Sequence, residues 1–158
     1  MGKAMKTEKG RRAIGAVKIT VIVVCLATVI ISATFFAVRS ILKAEFPMKY
    51  QDKISLYAET YGVPEDLLYG VIHTESGYDE KAKSHAGAIG LTQITPETFL
   101  WLQTKTGENL PEEALYDADT SVKYCAVFYG LLLKEFGGDE KTAIAAYHAG
   151  RGQVNAWL

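Results

Sequence analysis

Apolar positions along this chain follow two different patterns. Residues 19–38 form an unbroken run of twenty residues without a charge, rich in Val, Ile and Phe. As a helix rising about 1.5 Å per residue, the run reaches roughly 30 Å, the thickness of a bilayer's hydrocarbon core. A core helix of a soluble protein is rarely apolar on every side for that length. A secretory signal has a shorter apolar region and a small-x-small cleavage site. Ser32-Ala33-Thr34 is a weak site of that kind, and Phe35 to Val38 carries the run past it. The pattern predicts one uncleaved transmembrane helix. Arg11, Arg12 and the N-terminal lysines orient it with the N-terminus inside, although Arg39, Lys43 and Lys49 stand on the other side. The expected organisation is a basic cytoplasmic tail over 1–18, disordered in its first twelve residues, an anchor over 19–38, a juxtamembrane linker over 39–49 and a domain over 50–158.

From Tyr50 onward apolar residues recur every three or four positions, the helical period. Ile54, Leu56, Tyr57 and Tyr61 predict a helix over about 50–61, stopped by Gly62. A second helix is predicted over 63–76, with Pro64 at its first position and Glu65 and Asp66 on the positive end of its dipole. Residues 78–90 have no period and read as a loop over a cleft. Thr95-Pro96-Glu97-Thr98 is a helix start, with Thr95 as N-cap, and that helix stops before Gly107. A single turn is expected over 110–115. The longest helix of the domain spans 117–136, with Val122, Cys125, Ala126, Tyr129, Leu132, Leu133 and Phe136 as its buried stripe. Asp139 caps a helix over 141–148, and another starts near Gly152 with Val154 and Trp157 as apolar positions. No stretch alternates with period two, so the domain is predicted to be all-α.

Charge separates the same two regions. Residues 1–49 hold nine Lys or Arg against Glu8 and Glu45, whereas 50–158 hold eight basic and sixteen acidic residues. An acidic domain lacks the basic surface that nucleic-acid phosphates require. Cys25 lies within the apolar run, so a disulfide with Cys125 is not expected. No spacing suits a zinc or haem site, and neither metal nor cofactor is expected.

Candidate chemistry centres on Glu75. Leu68, Val71 and Ile72 precede it by seven, four and three residues and share its helix face. A carboxylate at the end of an apolar stripe is partly desolvated, which raises its pKa toward general-acid use. Gly77 ends the helix and leaves the carboxylate at a rim. Two stretches are richer in Gly and small residues than packing needs: Gly90-Leu91-Thr92-Gln93-Ile94-Thr95-Pro96 and Ala145-Ala146-Tyr147-His148-Ala149-Gly150-Arg151-Gly152. Small residues let backbone approach a ligand closely. The Gln93 amide and Tyr147 ring suit the apolar faces and hydroxyl edges of a sugar.

Glu75-Ser76, then Gly90-Leu91-Thr92-Gln93-Ile94 with Pro96, then Ala145-Ala146-Tyr147-His148-Ala149-Gly150 with Gly152, Val154, Trp157 and Leu158, together resemble the catalytic domain of lytic murein transglycosylases. These are of the soluble-lytic-transglycosylase type, related in fold to goose-type lysozyme. The resemblance covers 50–158. It implies a lysozyme-like helical fold, the glycan strand of peptidoglycan as substrate and Glu75 as the single catalytic acid and base. It also implies that Ser84, Gln93 and Tyr147 line the glycan cleft, with Ser76, Thr95 and His148 as further candidates. The implied reaction cleaves the β-1,4 bond between N-acetylmuramic acid and N-acetylglucosamine and leaves a 1,6-anhydromuramoyl end, outside the membrane and facing the wall.

The chain departs from the family pattern in four places. Thr92 stands where the family usually has Met, His148 where it has Asn, and Ala118 and Ser121 where the long helix often opens with Pro and Asn. The family also continues into a last helix beyond the Trp-Leu pair, so the C-terminal end is expected to be incomplete. Two other functions compete: a lysozyme-type hydrolase of the same bond, and a non-catalytic glycan-binding or scaffold module of an envelope machine.

Overall fold

The computed structural model describes residues 2–45 and 48–158, with side chains at Ile14, 18–44 and 48–158. The chain divides into two units, Met1–Pro47 and Met48–Leu158. The first is one helix, α1 (Gly2–Glu45). Within it Lys18–Ala44 is long and apolar enough to cross a membrane. Ile22, Val24, Leu26, Ile30 and Phe36 are all more than half exposed, so the apolar surface runs around the helix. The basic segment expected to be a disordered tail is helical from Gly2, and the helix continues into the expected linker as far as Glu45. Lys, Ala, Glu and Arg are good helix formers, and extending a nucleated helix costs little. Phe46 and Pro47 of that linker lie outside the described residues.

The second unit is helical: α2 (Gln51–Tyr61), α3 (Glu65–Ser76), α4 (Pro96–Thr106), a 3₁₀ turn (Glu112–Tyr116), α5 (Ala118–Glu135), α6 (Glu140–Ala149) and α7 (Arg151–Asn155). Among the described residues, β structure is limited to isolated bridges joining Lys83 to Ile89 and Ile89 to Ile94. The helix ends follow local chemistry. Gly62, Gly77 and Gly107 take left-handed conformations at the ends of α2, α3 and α4. Asp117 and Asp139 cap α5 and α6 by accepting from Thr120 N and Lys141 N.

Three details differ from the periodic reading. Pro64 has an extended ψ of 132° and precedes α3 as its N-cap instead of opening it. Leu56 and Trp157, assigned to apolar faces, are 55% and 62% exposed, so neither reaches the core. The segment 78–90 is a folded loop: Ser84 N donates to Ala88 O, Gly90 N to Ala82 O and Ile89 N to Ile94 O. Tyr78, Ala88 and Ile89 are buried beneath it. A loop with its own hydrogen bonds and apolar anchors satisfies its backbone without a helical period.

The centre of the unit is α5. Its Ser121, Val122, Tyr124, Cys125, Ala126 and Tyr129 are buried, and it packs against α2, α3, α4, α6 and the 3₁₀ turn. Polar ties fix its position. Asp119 accepts from Lys53 at 2.9 Å and from the Tyr57 hydroxyl at 2.8 Å on α2. The Tyr124 hydroxyl donates to Glu108 at 2.7 Å, just beyond α4. Leu68, Val71 and Ile72 of α3 are buried in this core, which fixes the direction of the next residue on their face, Glu75.

Candidate active site

Glu75 lies in the last turn of α3, and its side chain is 19% exposed. Burial pushes its carboxyl above the ordinary carboxylate range, and His148 opposes that shift. His148 Nδ1 is 3.1 Å from Glu75 Oε1, and its imidazole is about half exposed. His148 lies in the last turn of α6, which Gly150 ends. The site is therefore formed where the C-terminal ends of two helices converge.

Tyr147 is held from two sides. Its hydroxyl donates to Thr92 O at 2.7 Å, and its ring stacks on Tyr129 with centroids 4.5 Å apart and planes 8° from parallel. Burial raises the Tyr147 hydroxyl well above its usual pKa, so it is a neutral donor. Tyr129 is fully buried beneath it.

The loop 90–95 is fixed beside Glu75 by side chains that serve its own backbone. Ser76 Oγ donates to Leu91 O at 2.8 Å, tying the end of α3 to the loop. Gln93 has φ 50°, rare for a residue with a side chain. Its Nε2 donates to Gly90 O at 2.9 Å and to Ala82 O at 3.2 Å, which holds the turn. Gly90 is required here: its φ is 74°, and a Cβ would collide with the Leu115 carbonyl. Thr95 Oγ1 accepts from Thr98 N at 3.3 Å as the cap of α4. Ser84 Oγ accepts from Ala88 N at 3.0 Å inside the 78–90 loop.

Two of the departures from the family pattern meet. Thr92 and Ser121 are both fully buried, with their hydroxyls 3.0 Å apart. The sequence marks each as an irregularity but not the contact, because 29 residues separate them. The helical period marks Tyr129 only as one residue of a core stripe, and nothing in its spacing marks it as the platform for Tyr147.

Two hollows lie near these residues. One, of about 330 Å³, lies between α3 and α6, with Val71, Thr74, Tyr129 and His148 toward the Glu75 end and Asp66 and Glu140 farther along the helices. The other, of about 240 Å³, is bounded by Thr98, Trp101, Phe128, Gly150 and Arg151. Phe128 reaches the site through Tyr147, with ring centroids 5.1 Å apart. The acids nearest Glu75 in sequence are engaged elsewhere. Asp79 accepts from Lys81 N at 2.9 Å, and Glu80 accepts from the Tyr50 hydroxyl at 2.8 Å.

Comparison with known proteins matches this arrangement to a family. The transglycosylase SLT domain matches residues 52–158. The soluble lytic murein transglycosylase of Escherichia coli K12 is 30% identical over 120 residues, 74% of this chain and 18% of that protein. The membrane-bound lytic murein transglycosylase C of Haemophilus influenzae PittEE is 30% identical over 116 residues, 67% of this chain and 32% of that protein. This chain thus spans less than a third of the length of either relative. Among solved structures, an inactive glutamate-to-glutamine mutant of the lytic transglycosylase Slt from Pseudomonas aeruginosa superposes with a TM-score of 0.71 at 29% identity, covering 74% of this chain and 19% of that one. The helical unit that holds Glu75 has the lysozyme-like fold of these enzymes, and the chain belongs to the transglycosylase SLT domain family.

Proposed function

We propose that this chain is a membrane-anchored lytic transglycosylase that cleaves the β-1,4 bond between N-acetylmuramic acid and N-acetylglucosamine in peptidoglycan. The observation that carries the reading is one partly desolvated carboxyl group, Glu75, at the rim of an SLT fold. The relatives are named transglycosylases, and the structural neighbour is inactive with glutamine in place of a glutamate. Ser76, Ser84, Gln93, Thr95, Tyr147 and His148 belong to the walls of the glycan site. Ser76, Gln93 and Tyr147 give the backbone next to Glu75 its shape, and the open faces of Gln93 and His148 meet sugar.

Glycosidases normally use two carboxyl groups. Asp79 and Glu80 already accept from Lys81 N and the Tyr50 hydroxyl, and the likeness to lytic transglycosylases assigns both tasks to Glu75. It protonates the leaving glycosidic oxygen. As carboxylate it then takes a proton from the C6 hydroxyl of the muramic sugar, which closes on C1 of its own ring. That hydroxyl is already held beside C1, and effective molarities for such attack reach about 10⁵–10⁸ M, far above water. The expected product is a 1,6-anhydromuramoyl end, lighter by one water than the hydrolysis product. Mass spectrometry of purified wall digested by the full chain in detergent decides it. Reducing muramic acid ends as the main product would leave the lysozyme-type hydrolase instead.

The anchor in this reading is α1, with the basic N-terminus in the cytoplasm and the SLT domain facing the wall. A reporter fused after Leu158 is expected to be active outside the cytoplasm. Activity on the cytoplasmic side would separate the domain from its substrate and end the assignment.

A further inference from the structure

We propose that the Tyr129 hydroxyl is the donor for the carboxylate that Glu75 becomes during turnover, left unpaired in the resting fold and engaged when the proton departs. Tyr129 is then a positioning residue for the reaction, and the inference rests on the reading of Glu75 as the general acid. Two observations carry it. The hydroxyl is buried with no hydrogen-bond partner among the described residues. Tyr129 also borders, with Thr74 and His148, the hollow between α3 and α6.

Tyr129 is fully buried on α5. A buried hydroxyl without a partner destabilises a fold, and native folds leave few of them. The neighbouring groups do not serve in its place. Tyr147, on which its ring stacks, commits its own hydroxyl to Thr92 O at 2.7 Å. Cys125 of the same helix is a thiol kept protonated by burial, and a thiol is a weak donor. Tyr129 is the strong neutral donor that stays uncommitted here.

Glu75 follows Thr74 and shares a helix face with Val71, and both of those residues are walls of the hollow. His148, a third wall, comes within 3.1 Å of Glu75 Oε1, and Tyr129 is the wall supplied by α5. Burial first, then Cys125 and the charge of Glu75, raise the Tyr129 hydroxyl above the usual phenol range, so it keeps its proton. Glu75 stands in the last turn of α3, where its flexible side chain can turn toward α5. The molecule supplies its own control. The Tyr69 hydroxyl is also buried and unpartnered among the described residues, but after burial the charges that act on it are Glu65 and Asp52, in the first turns of α3 and α2.

An unpaired donor suits this task. An interaction accelerates a step only when it is stronger in the transition state than before it. A fixed donor that meets charge only as the charge develops needs no reorganisation at that moment. When a glycan covers the rim, water leaves Glu75. The carboxylate formed by protonating the leaving oxygen then accepts from Tyr129. When Glu75 takes the proton of the attacking hydroxyl, that bond weakens and the pair returns to its starting state. Glu75 gives one proton and regains one, while Tyr129 donates a hydrogen bond and transfers none.

Tyr129→Phe keeps the ring and its stack and removes the oxygen. The carboxylate must then form without its donor, so Glu75 becomes a weaker acid. Wall cleavage is expected to fall by about 10–100-fold, the usual worth of a hydrogen bond to a charged group. Binding to walls is expected to hold, because the bond forms only after the proton leaves. The alkaline fall of activity moves to higher pH by about one unit. The other ionisable walls of the hollow, His148, Asp66 and Glu140, are untouched. Stability moves the opposite way: losing an unpaired hydroxyl leaves the melting temperature at or above the parent's. Tyr69→Phe is expected to match that melting behaviour and to cleave at the parent rate.

The experiment uses the full chain in detergent, with parent, Tyr129→Phe, Tyr69→Phe and Glu75→Gln compared for melting, for co-sedimentation with purified walls and for wall cleavage from about pH 4 to 9. Slower cleavage and a displaced alkaline fall in Tyr129→Phe alone, with melting and wall binding preserved, support the donor role. Cleavage at the parent rate, or a loss shared equally with Tyr69→Phe, overturns it and leaves the function reading intact. A rate lowered by one factor at every pH, with the alkaline fall unmoved, does the same. A Tyr129→Phe chain that melts lower or fails to fold means that the hydroxyl is paired within the fold, and this too overturns the proposal. An active Glu75→Gln overturns the function reading itself.

Discussion

Glu75–His148 and Thr92–Ser121 are polar pairs in neighbouring parts of one site, built under opposite conditions. The first couples two groups that can ionise, 19% and 48% exposed. The second couples two hydroxyls that are fully buried and neutral. A buried hydroxyl satisfied by another costs little and contributes shape, whereas a buried charge is expensive unless water or a partner reaches it. In the proposed reaction the group that changes charge, Glu75, stands at the rim, and the two hydroxyls that hold the loop are sealed beneath it.

The comparison is broken most directly at Glu75. Glu75→Gln keeps the shape and removes the proton. Wall cleavage is expected to fall by about 10²–10⁴-fold or more, the usual range for a general acid, with the circular dichroism spectrum unchanged. A variant that still cleaves walls at the parent rate would move the acid elsewhere.

The opposite break is Thr92→Val, nearly isosteric and without the hydroxyl. It leaves Ser121 Oγ buried without its side-chain partner, at an expected cost of about 1–3 kcal/mol and a melting temperature lower by several degrees. Activity per folded molecule is expected to hold, because Tyr147 donates to the Thr92 carbonyl, which valine retains. Adding Ser121→Ala is expected to cost less than the two single changes summed, since removing both partners leaves no orphan. Additive losses, or a fall in turnover at unchanged stability, would erase the distinction between the pairs.

The smallest effect is again at Glu75, read now as stability. Burial raises its carboxyl, so the folded chain holds that proton more tightly than the unfolded one. Such a group costs stability as pH rises through the window between its unfolded and folded values, and the cost persists above it. Glu75→Gln is therefore expected to melt slightly above the parent at neutral pH. The gain should vanish below about pH 4, where the carboxyl is protonated in both states. A variant that melts lower at neutral pH would mean that the His148 contact outweighs the burial.

How legible these features were in the sequence depends on how local their causes are. The face under Glu75 could be read because Leu68, Val71 and Ile72 lie within two turns of it. The caps at Thr95 and Asp139 and the stops at Gly77 and Gly107 act on their own helix ends, and the structure has them there. Family resemblance picked out Ser76, Ser84 and Gln93, but not the backbone carbonyls and N–H groups on which their polar atoms are used. The Thr92–Ser121 contact was invisible because only the tertiary fold brings those residues together. Pairing His148 with Glu75 likewise required α3 and α6 to end at one place. The basic N-terminal segment was misread because composition reports solubility, while the residues involved also extend a helix well.

One detail of Gln93 bears on selectivity. Its amide nitrogen is committed to the carbonyls of Gly90 and Ala82, so the hydrogen-bonding capacity left to the side chain is of a single polarity, that of its oxygen. An incoming group must bring a hydrogen to it. A sugar hydroxyl or an acetamido N–H satisfies that demand, and an ether or carbonyl oxygen is repelled. With its donors spent on the turn, Gln93 keeps only acceptor capacity, and in the proposed glycan site it would separate the hydrogen-bearing edges of a ligand from the hydrogen-free ones.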